Sequence, residues 1–133
     1  MERMTNSYKE LFVWQKAMDL VAEIYRIVKL LPKEETYGLS DQMRRAAVSI
    51  PSNIAEGQAR NTTRDFINYL YTARGSNAEL QTQCLICVKL RYLVEKDIAR
   101  ALSLSDEVGK MTNAMILSLM AKNSMTGSEI NEG

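Results

Sequence analysis

The sequence predicts an all-α protein, an antiparallel up-down-up-down four-helix bundle whose second helix is bent at Pro51. Three observations predict it. Apolar residues recur at three- and four-residue spacing along nearly the whole chain, and no run shows the two-residue alternation of a strand. The connections between periodic segments are short, which favours antiparallel neighbours. At 133 residues, 46% hydrophobic and 25% charged, the chain fits one domain able to bury a core without disulfides or metal.

The first helix is expected over about residues 9–31, with Trp14, Ala17, Met18, Val21, Ile24, Tyr25, Val28 and Leu31 on one broad apolar face. Lys16, Asp19, Glu23 and Arg26 occupy the other face, and Pro32 ends the helix. The second is expected to start at an N-cap Ser40, with Asp41 and Gln42 in its first turn, and to run to about Gln58, where Gly57 weakens its end. Leu39, Met43, Ala46, Ala47, Ile50 and Ile54 form its core face. Gln42, Arg45, Ser49, Asn53, Glu56 and Arg60 form a polar row alongside. Pro51 lacks an amide hydrogen and crowds the Ala47 carbonyl, so a bend is expected there.

The third helix begins near Thr62, where Thr62 and Asp65 have capping-box spacing, and reaches about Arg91. It has two apolar stripes. Phe66, Leu70, Ala73, Asn77, Leu80, Cys84 and Cys87 make one, and Ile67, Tyr71, Ala78, Leu85, Val88 and Tyr92 make the other. A surface helix of a lone bundle needs one stripe, so the second predicts a contact with another subunit. A central helix burying both stripes within one subunit is the alternative. The fourth helix is expected over about residues 95–122, with Ile98, Leu102, Val108, Met111, Met115 and Leu119 inward and acidic residues in its first turn. The domain thus spans 1–122. Residues 123–133 are polar and aperiodic and are expected to form a disordered tail.

The run AAVSIPSNIAEG (46–57), with YGLSDQ (37–42) before it and FINYLYTARGSNAEL (66–80) after it, resembles the four-helix bundle proteins encoded in intervening sequences of large-subunit ribosomal RNA genes. ELFVWQKAMDLV (10–21) is similar to that family's first helix, and the likeness covers roughly residues 8–120. What the resemblance implies is a small bundle that assembles as a homo-oligomer, a pentamer by expectation, with no established enzymatic activity. The accessory proteins of diversity-generating retroelements are related in fold, are pentameric, and bind nucleic acid and a reverse transcriptase. That link is one of fold alone.

Catalytic chemistry finds little support. The chain has no histidine, hence no member of the commonest class of general base, nucleophile activator and metal ligand. Cys84 and Cys87 have CxxC spacing but lie mid-helix among Leu85, Ile86 and Val88, and no second pair completes a zinc site. They read as core. No catalytic residue, metal or cofactor is therefore expected. Asn53, Glu56, Arg74 and Glu79 have complementary charge and hydrogen-bonding capacity and are expected to form a polar network that fixes helix register or a subunit contact. An enzyme or small-ligand protein using this cluster in a pocket near Pro51 is the alternative. The segment GSNAEL (75–80) follows no strand and is not a phosphate loop, and Gly75 is expected to allow close helix approach.

Net charge is only +1, but its distribution is uneven. Residues 38–91 hold seven basic and four acidic side chains. Arg44, Arg45, Arg60 and Arg64 are the candidate phosphate contacts, since arginine suits bidentate phosphate recognition; for each singly, an ordinary salt bridge is the plainer reading. No recognition helix or other nucleic-acid motif is visible. No apolar run could span a bilayer and the N-terminus lacks a signal peptide, so a cytoplasmic protein is expected. The sequence favours a non-enzymatic oligomeric accessory module with an RNA or protein partner.

Overall fold

The computed structural model describes residues 7–130, with side chains described as far as residue 124. Four helices make the fold: α1 (Phe12–Val28), α2 (Leu39–Gln58), α3 (Thr63–Lys89) and α4 (Glu95–Ile130). No strand occurs among the described residues. The helices follow one another around the perimeter of the bundle, with α1 also packed on α4. Pairs between α2 and α3 (Met43 with Cys87, Ser49 with Ser76, Glu56 with Tyr69) step in opposite directions along the two helices. The ion pairs joining α1 to α4 (Lys16 with Glu107, Glu23 with Arg100) do the same. Both pairs of neighbours are antiparallel.

The first helix is shorter than expected at both ends. Ser7 accepts a hydrogen bond from the Lys9 amide and starts a separate 3-10 turn over Tyr8–Glu10, after which Leu11 is extended. At the other end, tight bonds from the Leu30 and Leu31 amides to Ile27 and Val28 carbonyls close the helix ahead of Pro32. Its core face is also rotated from the expected one. Val13, Ala17, Leu20, Ile24, Ile27 and Val28 are buried, whereas Met18 and Tyr25 face out. The helix is apolar around much of its circumference, so periodicity alone does not choose the face. Glu23 is the mirror case, a carboxylate buried in place and bonded by both arms of the Arg26 guanidinium.

A carboxylate from outside the helix caps α2. Glu35 accepts the Leu39 amide at 3.0 Å and the Tyr92 hydroxyl at 2.8 Å, so the loop before α2 is tied to the loop after α3. Ser40, expected as the cap, is buried inside the first turn. The helix continues through Pro51, which is buried. The N-cap Thr62 of α3 accepts from the Asp65 amide, as its spacing predicts. The helix ends at Lys89 through a bond from the Tyr92 amide to the Cys87 carbonyl, with Arg91 left-handed at φ 65°. That closure is a Schellman motif with arginine at the position glycine favours. Helix α4 runs on to Ile130 instead of ending near Lys122, so residues 123–130 of the expected tail have helical backbone and 131–133 lie outside the described residues. No proline interrupts that stretch, and adding a residue to an existing helix is easy compared with nucleating one.

One core holds the four helices together, centred on Leu20, Ile24, Met43, Ile50, Ile54, Leu70, Leu80, Cys84 and Val108. Within it, Asn77 of α3 accepts from the Ser105 hydroxyl at 2.8 Å and donates to the Ser105 carbonyl at 2.9 Å. The pair is fully buried and fixes the register of α3 against α4, since a slip of one turn would strand both polar groups.

Candidate functional site

Within one subunit the four residues of the expected polar network do not meet. Asn53 donates within its own helix, to the Ser49 carbonyl at 2.7 Å and its hydroxyl at 2.9 Å. Glu56 joins Arg60 and Tyr69 at the exposed turn between α2 and α3. Arg74 reaches across to Asn113 of α4 and lies over the Tyr71 ring. Glu79 accepts from Gln83. The reason is rotational, because Arg74 leans toward α4 while Ser76, which bonds Ser49, faces α2. The α2–α3 seam is bridged there by two hydroxyls, Ser49 and Ser76, at 2.8 Å.

Close helix approach, expected at Gly75, belongs to Gly57 instead. A Cβ on Gly57 would lie 2.7 Å from the Tyr69 Cβ and 2.9 Å from the Phe66 ring, so Gly57 is what lets α2 approach α3. A Cβ on Gly75 would meet nothing within 4 Å. Gly75 faces outward and serves no contact inside the bundle.

The cysteines are inert. Burial pushes the Cys84 thiol up to about 12 and the Cys87 thiol up to about 11, far from the depressed values of nucleophilic cysteines. Cys87 donates to the Met43 thioether in the core. Among the described residues, no three histidine, cysteine, aspartate or glutamate side chains are grouped as metal ligands would be. No helix is long and apolar enough to cross a membrane among those residues.

The four candidate arginines are dispersed. Arg44 and Arg45 share Asp41 near the start of α2, with Arg45 bonded at 2.9 Å. Arg60 pairs with Glu56 at the other end of that helix, about 22 Å away along its axis. Arg64 has no hydrogen bond or ion pair among the described residues. Two carboxylates, Asp41 and Glu56, stand against three of the four arginines, and within one subunit the four do not form a single basic patch.

Beside a charged recess lined by Tyr25, Asp41, Arg44, Arg45, Val48 and Ser49, the surface holds apolar grooves. A groove of about 320 Å³ runs between α1 and α2, lined by Tyr8, Trp14, Met18, Val21, Val48, Pro51, Ser52 and Ala55. It adjoins Pro51, where the sequence places a candidate ligand pocket, but none of the polar cluster reaches it. On the other side of the bundle, Leu85, Val88, Ile98, Ala99 and Leu102 line a second apolar groove between α3 and α4. The second stripe of α3 divides accordingly. Ile67 is buried and Val88 and Tyr92 are half-buried, whereas Tyr71, Ala78 and Leu85 are exposed. Sequence reasoning overlooked the Asn77–Ser105 lock, although a lone asparagine within an apolar stripe was its signal. It also overlooked Glu35, which lies outside any helix pattern.

A four-helix bundle with outward apolar faces and, among the described residues, no metal-ligand grouping is the class of protein these features define. Residues 9–114 match the family of the 23S rRNA-intervening sequence protein, and the chain belongs to that family. A solved structure from Bacteroides thetaiotaomicron, a protein with unknown function from the S23 ribosomal protein family, is similar at 25% identity and a TM-score of 0.72. The match covers 78% of this chain and 94% of that one. No curated protein matches the chain. Family membership therefore brings a fold and assigns no reaction.

Proposed function

We propose that the protein is a non-enzymatic assembly module, a cytoplasmic helical bundle that associates with copies of itself and acts as an accessory factor. The observation that carries this reading is the apolar surface left on opposite sides of the bundle. Met18, Tyr25 and Val48 on the α1–α2 side are 44%, 42% and 41% exposed, and Tyr71 and Leu85 on the α3–α4 side are 39% and 53% exposed. Large apolar side chains exposed along a groove favour an interaction site. Five subunits are the expected count, on the family resemblance.

The enzyme alternative loses support because the pocket beside Pro51 holds no carboxylate, lysine or cysteine to do chemistry. An RNA ligand is the weaker partner reading, since three of the four candidate arginines already have acidic neighbours. Light scattering on the intact chain tests the proposal: it should give a mass several times 15.1 kDa. A monomer at micromolar concentration would remove the assembly reading. Salt-dependent RNA binding that Gln at Arg44, Arg45, Arg60 and Arg64 abolishes would restore the RNA one.

A further inference from the structure

The outer side of α3 has a pattern that its own bundle uses only at the ends, where Tyr71 donates to the Met120 thioether of α4 and Leu85 borders the α3–α4 groove. Tyr71, Gly75, Ala78, Thr82 and Leu85 follow one another at steps of four, three, four and three residues, and all five are exposed. That is the a/d spacing of a helix that packs knobs into holes along another helix. The seam is about 21 Å long, with large side chains at its ends and small ones in its middle. A mid-helix glycine costs about 1 kcal/mol relative to alanine, and Gly75 returns nothing within the chain because open space surrounds it. Its use lies with something that approaches from outside.

The α1–α2 side presents two rows at the same spacing, with a groove between them. Trp14, Met18, Val21 and Tyr25 are spaced four, three and four along α1, while Val48, Ser52 and Ala55 of α2 and Ala59 just after it have the same spacing. We infer that the α3 seam of one copy, Tyr71 to Leu85, lies in the α1–α2 groove of the next copy. This rests on the assembly reading and specifies its interface.

A second copy fits these observations better than an unrelated helix, because one repeated contact covers both exposed faces. The two faces are on opposite sides of the perimeter, so a copy docked on either side leaves its own other face free for the next. Pairing α3 with α3 would leave every α1–α2 groove open. A front-to-back contact is heterologous, and it gives a closed ring when the rotation between copies divides a full turn. The seam alone, one helix about 10 Å wide and about 21 Å long, projects on the order of 200 Å². Seated in the α1–α2 face it also brings the flanking sides of its own α2 and α4 into contact, and a footprint of about 20 Å by about 25 Å projects on the order of 500 Å². Its corrugation raises the accessible area toward the roughly 800 Å² per partner of a stable interface.

Disulfide trapping tests the geometry, and the buried Cys84 and Cys87 leave the background silent. A chain with both Met18→Cys and Ala78→Cys should give, on mild oxidation, a ladder of disulfide-linked multiples, while each single variant should give none. A second pair, Ser52→Cys with Thr82→Cys, repeats the test without removing an apolar side chain. A cross-linked dimer from any single variant would overturn the front-to-back arrangement. An oligomeric mass with no cross-link in either double variant would overturn the interface and leave the assembly reading standing, whereas a monomeric native chain would overturn both.

Discussion

Gly57 is buried in the α2–α3 seam and Gly75 is exposed on the outer side of α3, and the contrast between them separates what the chain uses for itself from what it offers outward. At Gly57 the α2–α3 seam is so close that a methyl group would lie 2.7 Å from the Tyr69 Cβ. At Gly75, on the far side of α3, a methyl group would meet no atom of another part of the chain within 4 Å. A glycine in a helix lowers its stability in either place. Inside, the loss is offset by closer packing of α2 on α3; outside, no contact within the subunit offsets it. The same helix therefore has an inner face determined by intramolecular packing and an outer face determined by something else.

The largest effect should come from breaking the inner face. Gly57→Ala forces Tyr69 or the helix backbone to move and should cost about 1–3 kcal/mol, the range for overpacking a close contact; denaturant unfolding measures it, and an unchanged midpoint would show that the seam has slack. Next comes the α3–α4 side of the core. Asn77→Ala leaves the buried Ser105 hydroxyl without its acceptor and should cost about 1–2 kcal/mol, within the range for an orphaned buried polar group. Double-mutant analysis with Ser105→Ala should then recover part of that loss, because the partner left behind is removed as well.

Much of this inner face was legible in the sequence, and the reasons are local. Thr62 and Asp65 announce the start of α3 through side-chain chemistry three residues apart, and the stripe Leu70, Ala73, Leu80, Cys84, Cys87 is buried as its spacing predicts. Helix α1 was harder, because Val13, Leu20 and Ile27 compete with Trp14, Met18 and Tyr25 for the core and only the positions of α2 and α4 decide between them. The polar residues were hardest. Asn53, Glu56, Arg74 and Glu79 match one another chemically, but whether they meet depends on helix rotation of a few tens of degrees, which composition does not encode. Gly57 and Gly75 look alike in a sequence for the same reason.

Smaller effects belong to the loops that join the two faces. Arg91→Gly relieves a left-handed arginine at the end of α3 and should raise stability by under about 1 kcal/mol. Calorimetry would detect it as a small rise in Tm, and a fall would mean that the Arg91 side chain makes a stabilising contact. The smallest effect is electrostatic. The Leu39 amide, and after it the Tyr92 hydroxyl, hold the Glu35 carboxyl below its ordinary value. Its charged form is thus the one the folded state favours, and its contribution is present above the unfolded-state pKa and lost as pH falls through the depressed folded one. Native protein should exceed Glu35→Gln in stability at neutral pH, and the gap should close in acid. A gap that persists unchanged at low pH would assign the effect to something other than the carboxylate charge.

The outer face is tested most directly at Gly75. Glutamine there has room, favours the helix and fills the space into which a neighbouring copy is proposed to pack. Light scattering of Gly75→Gln should give the 15.1 kDa mass of a single chain, with helical content and cooperative unfolding retained. A mass equal to that of the native assembly would contradict the account, because it would show that nothing approaches α3 from outside at that point.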